Sequence, residues 1–579
     1  MKKRLFALVL ASVMLLGVIA ACANDNAATP AAPAAPADPA APAAPADPAA
    51  PAATGATREF VPIPAGDWDA PYDQTVLVTA VAPHGANWNF RDNDDVNDNP
   101  WTRLVKDRLN IEIHFDWTVP DDYPTRLNMA IAARELPDVF EIPNTADPRL
   151  FAQLQEQGML LDMTDYYNNN ASQRIRDHEK IDPDTIQGYT VDGRLFAVPR
   201  YYYGQIDSPW YMWVRDDWYT AEGRPALNTV ADFENLAKAF MANHGASYGI
   251  ATDNDLRWLF RTGPMFGVYV GTIAENSYFW RDDGTGRLKP DIAFPEFKTA
   301  LEYWARWYDE GILSPEFMAL DEWGRAMEDV YNGRVGIQPF WQWWGWAPGT
   351  TVAQDQGTDA VYYPYHIPLV DGGPARGQVP FPNIGGIVNN ANFQNPAAFM
   401  KIISLYDWMV FSPDAGLTAD DLFNYMDEGR EHAMSSAFQV IDPNADYLQY
   451  RHVLHALDTG DESDLFTAGM LSKYHDSLRW INEKDPFALG PYMQMGSDRS
   501  SYARSAYLFD RDLIERTAMW GMAPAEFDQA GNTGDMIIEE VTQIIMGNRP
   551  VSDWDDILAE WYSRGGQIKE DAVNLHYGR

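Results

Sequence analysis

The chain has 579 residues, of which 43 are Lys or Arg and 83 are Asp or Glu, giving a formal net charge of −40 at pH 7. A polyanion of this size is a poor partner for nucleic acid or for an acidic membrane, and its charge argues weakly against an anionic ligand. Aromatic residues make up 13% of the chain, with 21 Trp and 29 Tyr. Such a composition is expected where a protein grips sugar rings or aromatic anchors.

The first 22 residues have the three parts of a secretory signal peptide. Residues 2–4 (KKR) are positively charged, residues 5–19 are almost wholly apolar, and small residues follow as far as Cys22. The apolar run is shorter than the roughly 20 residues that a membrane-spanning helix needs. The ending IAAC resembles a bacterial lipobox, whose cysteine becomes an acylated N-terminus; an ordinary signal peptide that happens to contain a cysteine is the alternative. We therefore expect cleavage before Cys22, a palmitate-type lipid anchor on it, and a location on the extracellular face of the cell membrane.

An Ala- and Pro-rich segment, residues 23–57, follows the signal peptide. The nonapeptide APAAPADPA occurs twice in succession, at 32–40 and 41–49. Frequent Pro favours extended polyproline II backbone, and no apolar side chain larger than Pro is present to drive a core. The segment is predicted to be a disordered tether, on the order of 100 Å long when fully extended. Residues 58–579 are too many for one small domain and fit two large lobes.

Four tryptophans follow a predicted strand within residues 331–349 (YNGRVGIQPFWQWWGWAPG), and the strand is expected to end at Pro339. These are Trp341, Trp343, Trp344 and Trp346. An indole is large and flat, apolar on its faces and able to donate one hydrogen bond at its edge. Several indoles beside glycines at a strand end favour a concave ligand site. A tryptophan-rich corner of the core is the alternative, because Trp is mostly buried in folded proteins.

Predicted strands and helices alternate in the first part of the folded body, from β-branched runs and from apolar spacing near 3.6. The strands are residues 75–81, 111–117 and 136–142, and the helices are residues 100–109 and 123–133. This alternation predicts βαβ units on a mainly parallel sheet, where ligands bind beyond the carboxyl ends of the strands. Trp88 and Asn89 follow the first strand at such a place.

The chain lacks several common sequence signatures of catalysis and of metal binding. It has no H-E-x-x-H helix and no P-loop, and it contains a single cysteine. Residues 92–99 (DNDDVNDN) are rich in oxygen ligands but lack the spacing, Gly and Glu of an EF-hand loop, so we interpret them as an acidic turn. We expect no catalytic residue, no metal site and no cofactor. A carboxylate pair of a glycoside hydrolase stays open as an alternative, because any pair can be proposed among 83 acidic residues.

Several segments resemble, in this order, those of one family of bacterial binding proteins. They are LPDVF (136–140), GMLLDMTDY (158–166), DGRLFAVP (192–199), VRDDW (214–218), NGRVGI (332–337) and FPNIGGIVN (381–389). Together they resemble the family 1 extracellular solute-binding proteins of bacterial ABC importers, the sugar-binding, maltose-binding-protein type, and most closely its long lipoprotein branch from Gram-positive bacteria. The tail, residues 544–555 and then 565–566, resembles the closing helical segment of that family. With it, the segments span nearly the whole mature chain, and their order beside a lipobox-like cysteine is the specific feature.

The resemblance implies an α/β fold with two lobes, the periplasmic-binding-protein-like fold of type II. Each lobe would hold a mainly parallel sheet flanked by helices. Crossover strands would join the lobes near residues 201–211, 380–387 and 489–501. The ligand would lie in the interlobe cleft, and the lobes would close on it by a hinge motion at the crossovers.

The resemblance also implies which side chains line the cleft. Trp341 matches the stacking tryptophan of the family, and Glu141 and Asn144 follow the LPDVF strand, where the family often places a ligand contact. The expected ligand-binding residues are Trp341, Trp343, Trp344, Trp88, Asn89, Glu141, Asn144, Tyr202, Trp210, Asn383 and Asp121. Alternatives stay open for some of them: hinge packing for Tyr202 and Trp210, a solvated loop for Asp121, and a turn cap for Asn383.

The predicted function is that of the extracellular, lipid-anchored substrate-binding component of an ABC transporter in carbohydrate transport, and not of an enzyme. Several clustered indoles favour an oligosaccharide over a monosaccharide, because each indole stacks one sugar ring. The expected partners are the carbohydrate, ABC permease subunits and, through Cys22, the membrane. No nucleic-acid partner is expected, and the protein would be a monomer. A secreted glycoside hydrolase and a surface carbohydrate receptor without transport are the alternative functions.

Overall fold

The computed structural model describes residues 67–82, 94–119, 122–143, 150–201, 209–270, 278–379, 383–412, 437–440, 442–519 and 530–579, together with residues 273, 415 and 526. The predicted signal peptide, Cys22 and the tether lie outside these residues, and their predictions stay predictions. The same holds for five candidate site residues, namely Trp88, Asn89, Asp121, Asn144 and Tyr202. Within the described part of the chain, no helix is both long enough and apolar enough to cross a membrane.

The strands, in chain order, are β1 (Val76–Ala82), β2 (Ile111–Thr118), β3 (Val139–Pro143), β4 (Thr190–Val191), β5 (Arg194–Leu195), β6 (Ala197–Tyr201), β7 (Trp210–Arg215), β8 (Trp280–Asp282), β9 (Leu288–Pro290), β10 (Ile337–Trp341), β11 (Tyr362–Tyr365), β12 (Gly377–Val379), β13 (Asn383–Asn389) and β14 (Ile514–Arg516).

The α-helices are α1 (Pro100–Leu109), α2 (Tyr123–Ala133), α3 (Leu150–Glu156), α4 (Thr164–Asn170), α5 (Gln173–Ile181), α6 (Pro183–Gln187), α7 (Asp216–Ala221), α8 (Val230–Asn243), α9 (Arg257–Phe260), α10 (Glu296–Asp309), α11 (Met327–Tyr331), α12 (Ala347–Gln356), α13 (Pro396–Phe411), α14 (Ala445–Thr459), α15 (Ala468–Glu483), α16 (Leu489–Met495), α17 (Ser501–Phe509), α18 (Gly534–Ile545), α19 (Trp554–Trp561) and α20 (Gln567–His576).

The first sheet has the strand order β2-β1-β3-β13-β6. Strand β1 runs parallel to β2 and β3, whereas β13 runs antiparallel to β3 and β6. The sequence of β2 explains its conformation, because Ile111, Ile113 and Phe115 are buried while the residues between them are exposed. Such alternation is what a strand with one covered face requires. The carboxyl ends of β1, β2 and β3 lie at one edge of this sheet.

The second sheet has the strand order β10-β7-β11, and both pairs are antiparallel. The described strands thus form a mixed first sheet and an antiparallel second sheet, whereas the family resemblance implied a mainly parallel sheet in each lobe. All residues of the central strand β7 are buried. Strand β10 continues through Pro339, where it was expected to end, as far as Trp341. Proline is tolerated there because β10 is an edge strand.

Each sheet has hydrophobic packing of its own. One core contains buried residues from 68–201 and 387–440, and the other cores contain buried residues from 210–367 and 450–573. We therefore call the described residues of 67–201 and 383–440 the first lobe, and the described residues of 209–379 and 442–579 the second lobe. The chain passes between the lobes after β6, between β12 and β13, and between Val440 and Tyr450.

Residues 489–501, expected to form a crossover, lie inside the second lobe. Leu489–Met495 is helix α16, and its Leu489 and Met493 are buried in a core that also contains Trp344. The segment contains Gly490 and Pro491. Both residues lie in the first turn of the helix, where a proline is tolerated because its missing N–H would have no partner within the helix.

The connection between α19 and α20 depends on two glycines. The segment Tyr562–Gly566 forms a single π-type turn, and Gly565 has φ 131° and ψ −10° inside it. A Cβ atom on Gly565 would lie 2.3 Å from the carbonyl oxygen of Ala530, and one on Gly566 would lie 2.0 Å from the Trp561 ring. The turn therefore admits no side chain at these positions without movement of the backbone.

Gly565→Ala is expected to lower the free energy of unfolding by at least about 2 kcal/mol, because it combines backbone strain with overpacking. Gly460→Ala is the matched control: Gly460 also has a positive φ, 74°, but nothing lies within 4 Å of a Cβ atom there. The control should lose about 1 kcal/mol, the conformational cost alone. Denaturant unfolding of both variants measures the difference, and equal losses would contradict the steric argument.

Candidate functional site

Two tryptophans at neighbouring strand ends form the centre of the candidate site. Trp341, the last residue of β10, is the register partner of Trp210, the first residue of β7. Their rings meet edge to face, with centroids 5.4 Å apart and planes at 83°. The Nε1 of Trp213 donates to the carbonyl oxygen of Trp341 at 2.9 Å, which fixes the backbone there. Trp341 is half-buried and Trp210 is 6% exposed, so Trp341 offers the larger free surface.

A buried guanidinium group lies against these rings. The Cζ of Arg261 is 5.3 Å from the ring centroid of Trp341, 5.9 Å from that of Trp210 and 5.2 Å from that of Phe340. A cation over aromatic faces is attracted to their π electrons, and more strongly when water is excluded. Arg261 is 5% exposed, and its burial lowers the pKa of the guanidinium. The positive charge thus supports the rings from inside the lobe.

The carboxylate of Glu322 balances this charge. It accepts hydrogen bonds from Arg261 Nη2 at 2.8 Å, Trp258 Nε1 at 2.8 Å and Arg257 Nη1 at 3.1 Å. Burial alone would raise the pKa of Glu322, but the charge of Arg261 and the three donors outweigh it and leave the pKa below its usual value. Glu322 is therefore ionised, accepts hydrogen bonds from three donors and is unsuited to proton transfer.

A second pair of tryptophans lies beside the first. The rings of Trp323 and Trp343 are nearly parallel, at 8°, with centroids 5.8 Å apart. Phe340 contacts both rings edge to face, at 4.8 Å from Trp343 and 6.0 Å from Trp323. Trp343 is half-buried, whereas Trp323 is 58% exposed. We call Trp210, Trp323, Phe340, Trp341 and Trp343 together the indole cluster.

Sequence analysis did not single out Trp323. It stands in the segment DEWGRA, apart from the tryptophan-rich stretch, and becomes part of the site only through tertiary packing against Trp343. The available signal was a tryptophan directly before a glycine in a polar segment. Such a position indicates a turn, where a large ring is not covered by a helix or a strand.

Trp344 belongs to the core and not to the ligand face. It is fully buried, its ring stacks on Trp213 with centroids 5.4 Å apart, and its Nε1 donates to Gln338 Oε1. The ring of Tyr362 lies 4.4 Å away on centroids. The expectation of a ligand contact failed because consecutive residues at 343 and 344 cannot present their side chains to the same side of the 3₁₀ turn.

Glu141 is likewise a structural residue. It is 2% exposed in β3, and Arg200 of β6 donates to it from Nη1 at 2.6 Å across the first sheet. Burial raises the pKa of Glu141, against the opposing effect of Arg200. A carboxylate already used in a buried ion pair is a poor ligand contact, so we withdraw it from the site. For Asn383 only the backbone is described, and it pairs with Tyr201 in the first sheet.

The geometry suits the binding of an uncharged ring better than chemistry on it. The indole faces of the cluster are apolar, and the carboxylate of Glu322, which pairs with Arg261, is 8% exposed and accepts from three donors. Among the described residues, no group of three His, Cys, Asp or Glu side chains could hold a metal ion. What the cluster offers is ring faces on a rigid support.

Two solved structures of binding proteins have a similar fold. The alginate-binding protein AlgQ2 without calcium ion matches with a TM-score of 0.57 and 14% identity, covering 88% of this chain and 99% of its own. An HMO-binding, ABC-transporter-associated protein from Bifidobacterium longum infantis matches with a TM-score of 0.55 and 14% identity, covering 87% and 98%. These likenesses define the class: a two-lobed α/β solute-binding fold.

The chain belongs to the bacterial extracellular solute-binding protein family, whose model matches residues 95–410. It is 26% identical over 251 residues to the polygalacturonan/rhamnogalacturonan-binding protein YtcQ of Bacillus subtilis. It is 22% identical over 246 residues to the lipoprotein LipO of the same organism. Each match covers 41% of this chain and 46% of the relative, so the chain aligns with about half the length of these relatives.

Arg200→Met is expected to lower the free energy of unfolding by about 3–5 kcal/mol at pH 7, because Glu141 stays buried without its cation. The loss should shrink towards pH 4, since the pKa of Glu141, raised in the folded state, lets it bind a proton there. Because the pKa of Glu141 is higher in the folded than in the unfolded state, the Arg200→Met variant is more stable at low pH and loses stability as the pH rises. Denaturant unfolding at several pH values measures this.

The double variant Glu141→Gln with Arg200→Met is the control for this prediction. It carries no buried charge at either position, so its loss should be smaller than that of Arg200→Met and independent of pH between 4 and 7. Ligand affinity of Glu141→Gln should equal that of the unaltered protein. A drop in affinity without a drop in stability would return Glu141 to the site.

Proposed function

We propose that this protein is the extracellular, lipid-anchored substrate-binding component of an ABC importer, and that it binds an oligosaccharide between its lobes. The observation that carries the proposal is the indole cluster, where Trp341 and Trp323 turn free ring surface outward from a rigid, charge-supported base. The C–H faces of a sugar ring stack on such indole faces, while its hydroxyls bind polar groups around them. Membership of the solute-binding family supports the same conclusion.

The names of similar proteins support a carbohydrate as the ligand class. YtcQ is named for binding polygalacturonan and rhamnogalacturonan, AlgQ2 for binding alginate, and the FusA protein of Streptococcus pneumoniae was solved with kestose, at a TM-score of 0.54 and 12% identity. These include acidic and neutral saccharides. The net charge of −40 favours a neutral one for this chain.

Delivery to a membrane permease follows from the proposed anchor. Cys22 would carry the lipid, and the tether of residues 23–57 would let the folded body reach the permease on the same membrane, over a distance on the order of 100 Å. The relative LipO is named a lipoprotein, which supports an anchor. The two lobes would close on the ligand by hinge motion where the chain passes between them, and the closed form would dock on the permease.

An oligosaccharide panel tests the proposed function. The mature chain should be stabilised by its ligand by about 2.7 kcal/mol at a ligand concentration of 100 Kd, which raises the unfolding temperature in a thermal shift assay. No product should appear when the same mixtures are analysed by chromatography. Turnover of a saccharide at enzymatic rates would favour a glycoside hydrolase, and stabilisation by no saccharide would overturn the carbohydrate proposal.

Trp341→Ala should weaken the binding of the saccharide found in that panel by about 1–3 kcal/mol, because it removes a stacking face at the centre of the site. Isothermal titration calorimetry measures the change. Phe487→Ala is the control, since Phe487 is a large aromatic residue that is 71% exposed outside the indole cluster. The control should bind as the unaltered protein does. Unchanged affinity of Trp341→Ala would remove that residue from the site.

A further inference from the structure

Trp323 exposes an unusually large apolar surface for its residue type. At 58% it is the most exposed of the described tryptophans. Most of the others are buried in the cores. Exposure of an indole to water is unfavourable, by about 25 cal/mol for each Å² of apolar surface. An exposed aromatic face that is held in a fixed place offers a stacking surface to a ligand ring.

The turn that carries Trp323 is built to hold it outward. Glu322, directly before it, is 8% exposed and held by three donors, and Ala326 behind it is fully buried. Asp321 accepts a hydrogen bond from the backbone N–H of Arg325 at 3.2 Å. Gly324 has the non-helical angles φ −103° and ψ −108°, and a Cβ atom there would lie 2.1 Å from the Asp321 carboxylate. The backbone on both sides of the indole is therefore fixed.

The ring of Trp323 is supported by two aromatic neighbours, yet more than half of the residue is exposed. Trp343 lies parallel to it at 5.8 Å between centroids, and Phe340 meets its edge at 6.0 Å. Aromatic pairs in such arrangements are stabilised beyond their buried area. With one face against Trp343 and more than half of the side chain exposed, Trp323 has the geometry of a platform for a second flat ring.

Trp323 and Trp341 are connected by two intervening side chains. Phe340 contacts the ring of Trp323, and the guanidinium of Arg261 contacts both Phe340 and Trp341, at 5.2 Å and 5.3 Å. A single sugar ring covers one indole, so it cannot stack on both tryptophans at once. A chain of linked sugar rings can, because each unit carries its own apolar face.

We propose that Trp323, supported by Trp343, is a second stacking position for the same saccharide whose first ring stacks on Trp341. This inference rests on the proposed function and deepens it, since it makes the ligand a linear oligosaccharide and makes Trp323 a residue that selects for its length. Trp341 contributes to the binding of every ligand length. Trp323 contributes only once the chain is long enough to reach it.

The test compares affinities across ligand length. The full mature chain and its variants are titrated by calorimetry with neutral and acidic saccharides of one to six sugar units. Trp323→Ala should raise the Kd for the longer members by about 3- to 10-fold and change the Kd for the shortest bound member by less than about twofold. Trp323→Tyr, which keeps a ring, should recover most of the lost affinity. Phe487→Ala should leave all lengths unchanged.

The outcomes separate this inference from the proposed function. If Trp341→Ala weakens binding at all lengths while Trp323→Ala weakens none, the second stacking position is overturned and the proposed function stands. A loss of transport by Trp323→Ala with unchanged affinity would overturn it too, and would assign the ring to a permease contact. If the unaltered protein binds no saccharide of any length, the proposed function fails and this inference fails with it. Equal losses at all lengths would also contradict it.

Discussion

The buried carboxylate of Glu322 is the group on which the ligand face of the second lobe depends. It is held by one indole N–H and two guanidinium groups, and without such partners a buried charge of this kind would be strongly unfavourable. Through Arg261 it places a cation against the ring of Trp341. Glu322 is also the first residue of the turn that carries Trp323. One buried ionic group thus contributes to the placement of both ends of the indole cluster.

Local patterns in the sequence were sufficient for the class of fold. The alternation in β2 follows directly from its residues, and the order of short segments pointed to the solute-binding family that residues 95–410 match. Burial of individual side chains was not predictable in the same way. Trp343 and Trp344 are chemically equal neighbours, yet only packing against Trp213 decides that Trp344 is in the core.

Long-range pairing explains the remaining differences. Glu141 and Arg200 are far apart in sequence and meet only because β13 lies between their strands in the first sheet. Trp323 likewise joins the site through a partner elsewhere in the chain, Trp343. Residues 489–501 contain glycine and proline, which locally favour an irregular connection, but burial of Leu489 and Met493 stabilises a helix instead. Each of these outcomes is set by tertiary contacts that no local window contains.

The near-parallel arrangement of Trp323 and Trp343 has an optical consequence. Two indoles whose centres are 5.8 Å apart, with planes at 8°, have coupled electronic transitions, so their absorption of circularly polarised light depends on their mutual orientation. A molecule that binds on the exposed side of Trp323 changes the polarity of the surroundings of the ring and restricts the motion of the ring. The protein therefore carries an intrinsic chromophore pair at its surface, and covering the exposed ring is expected to change the near-ultraviolet spectrum without any added label.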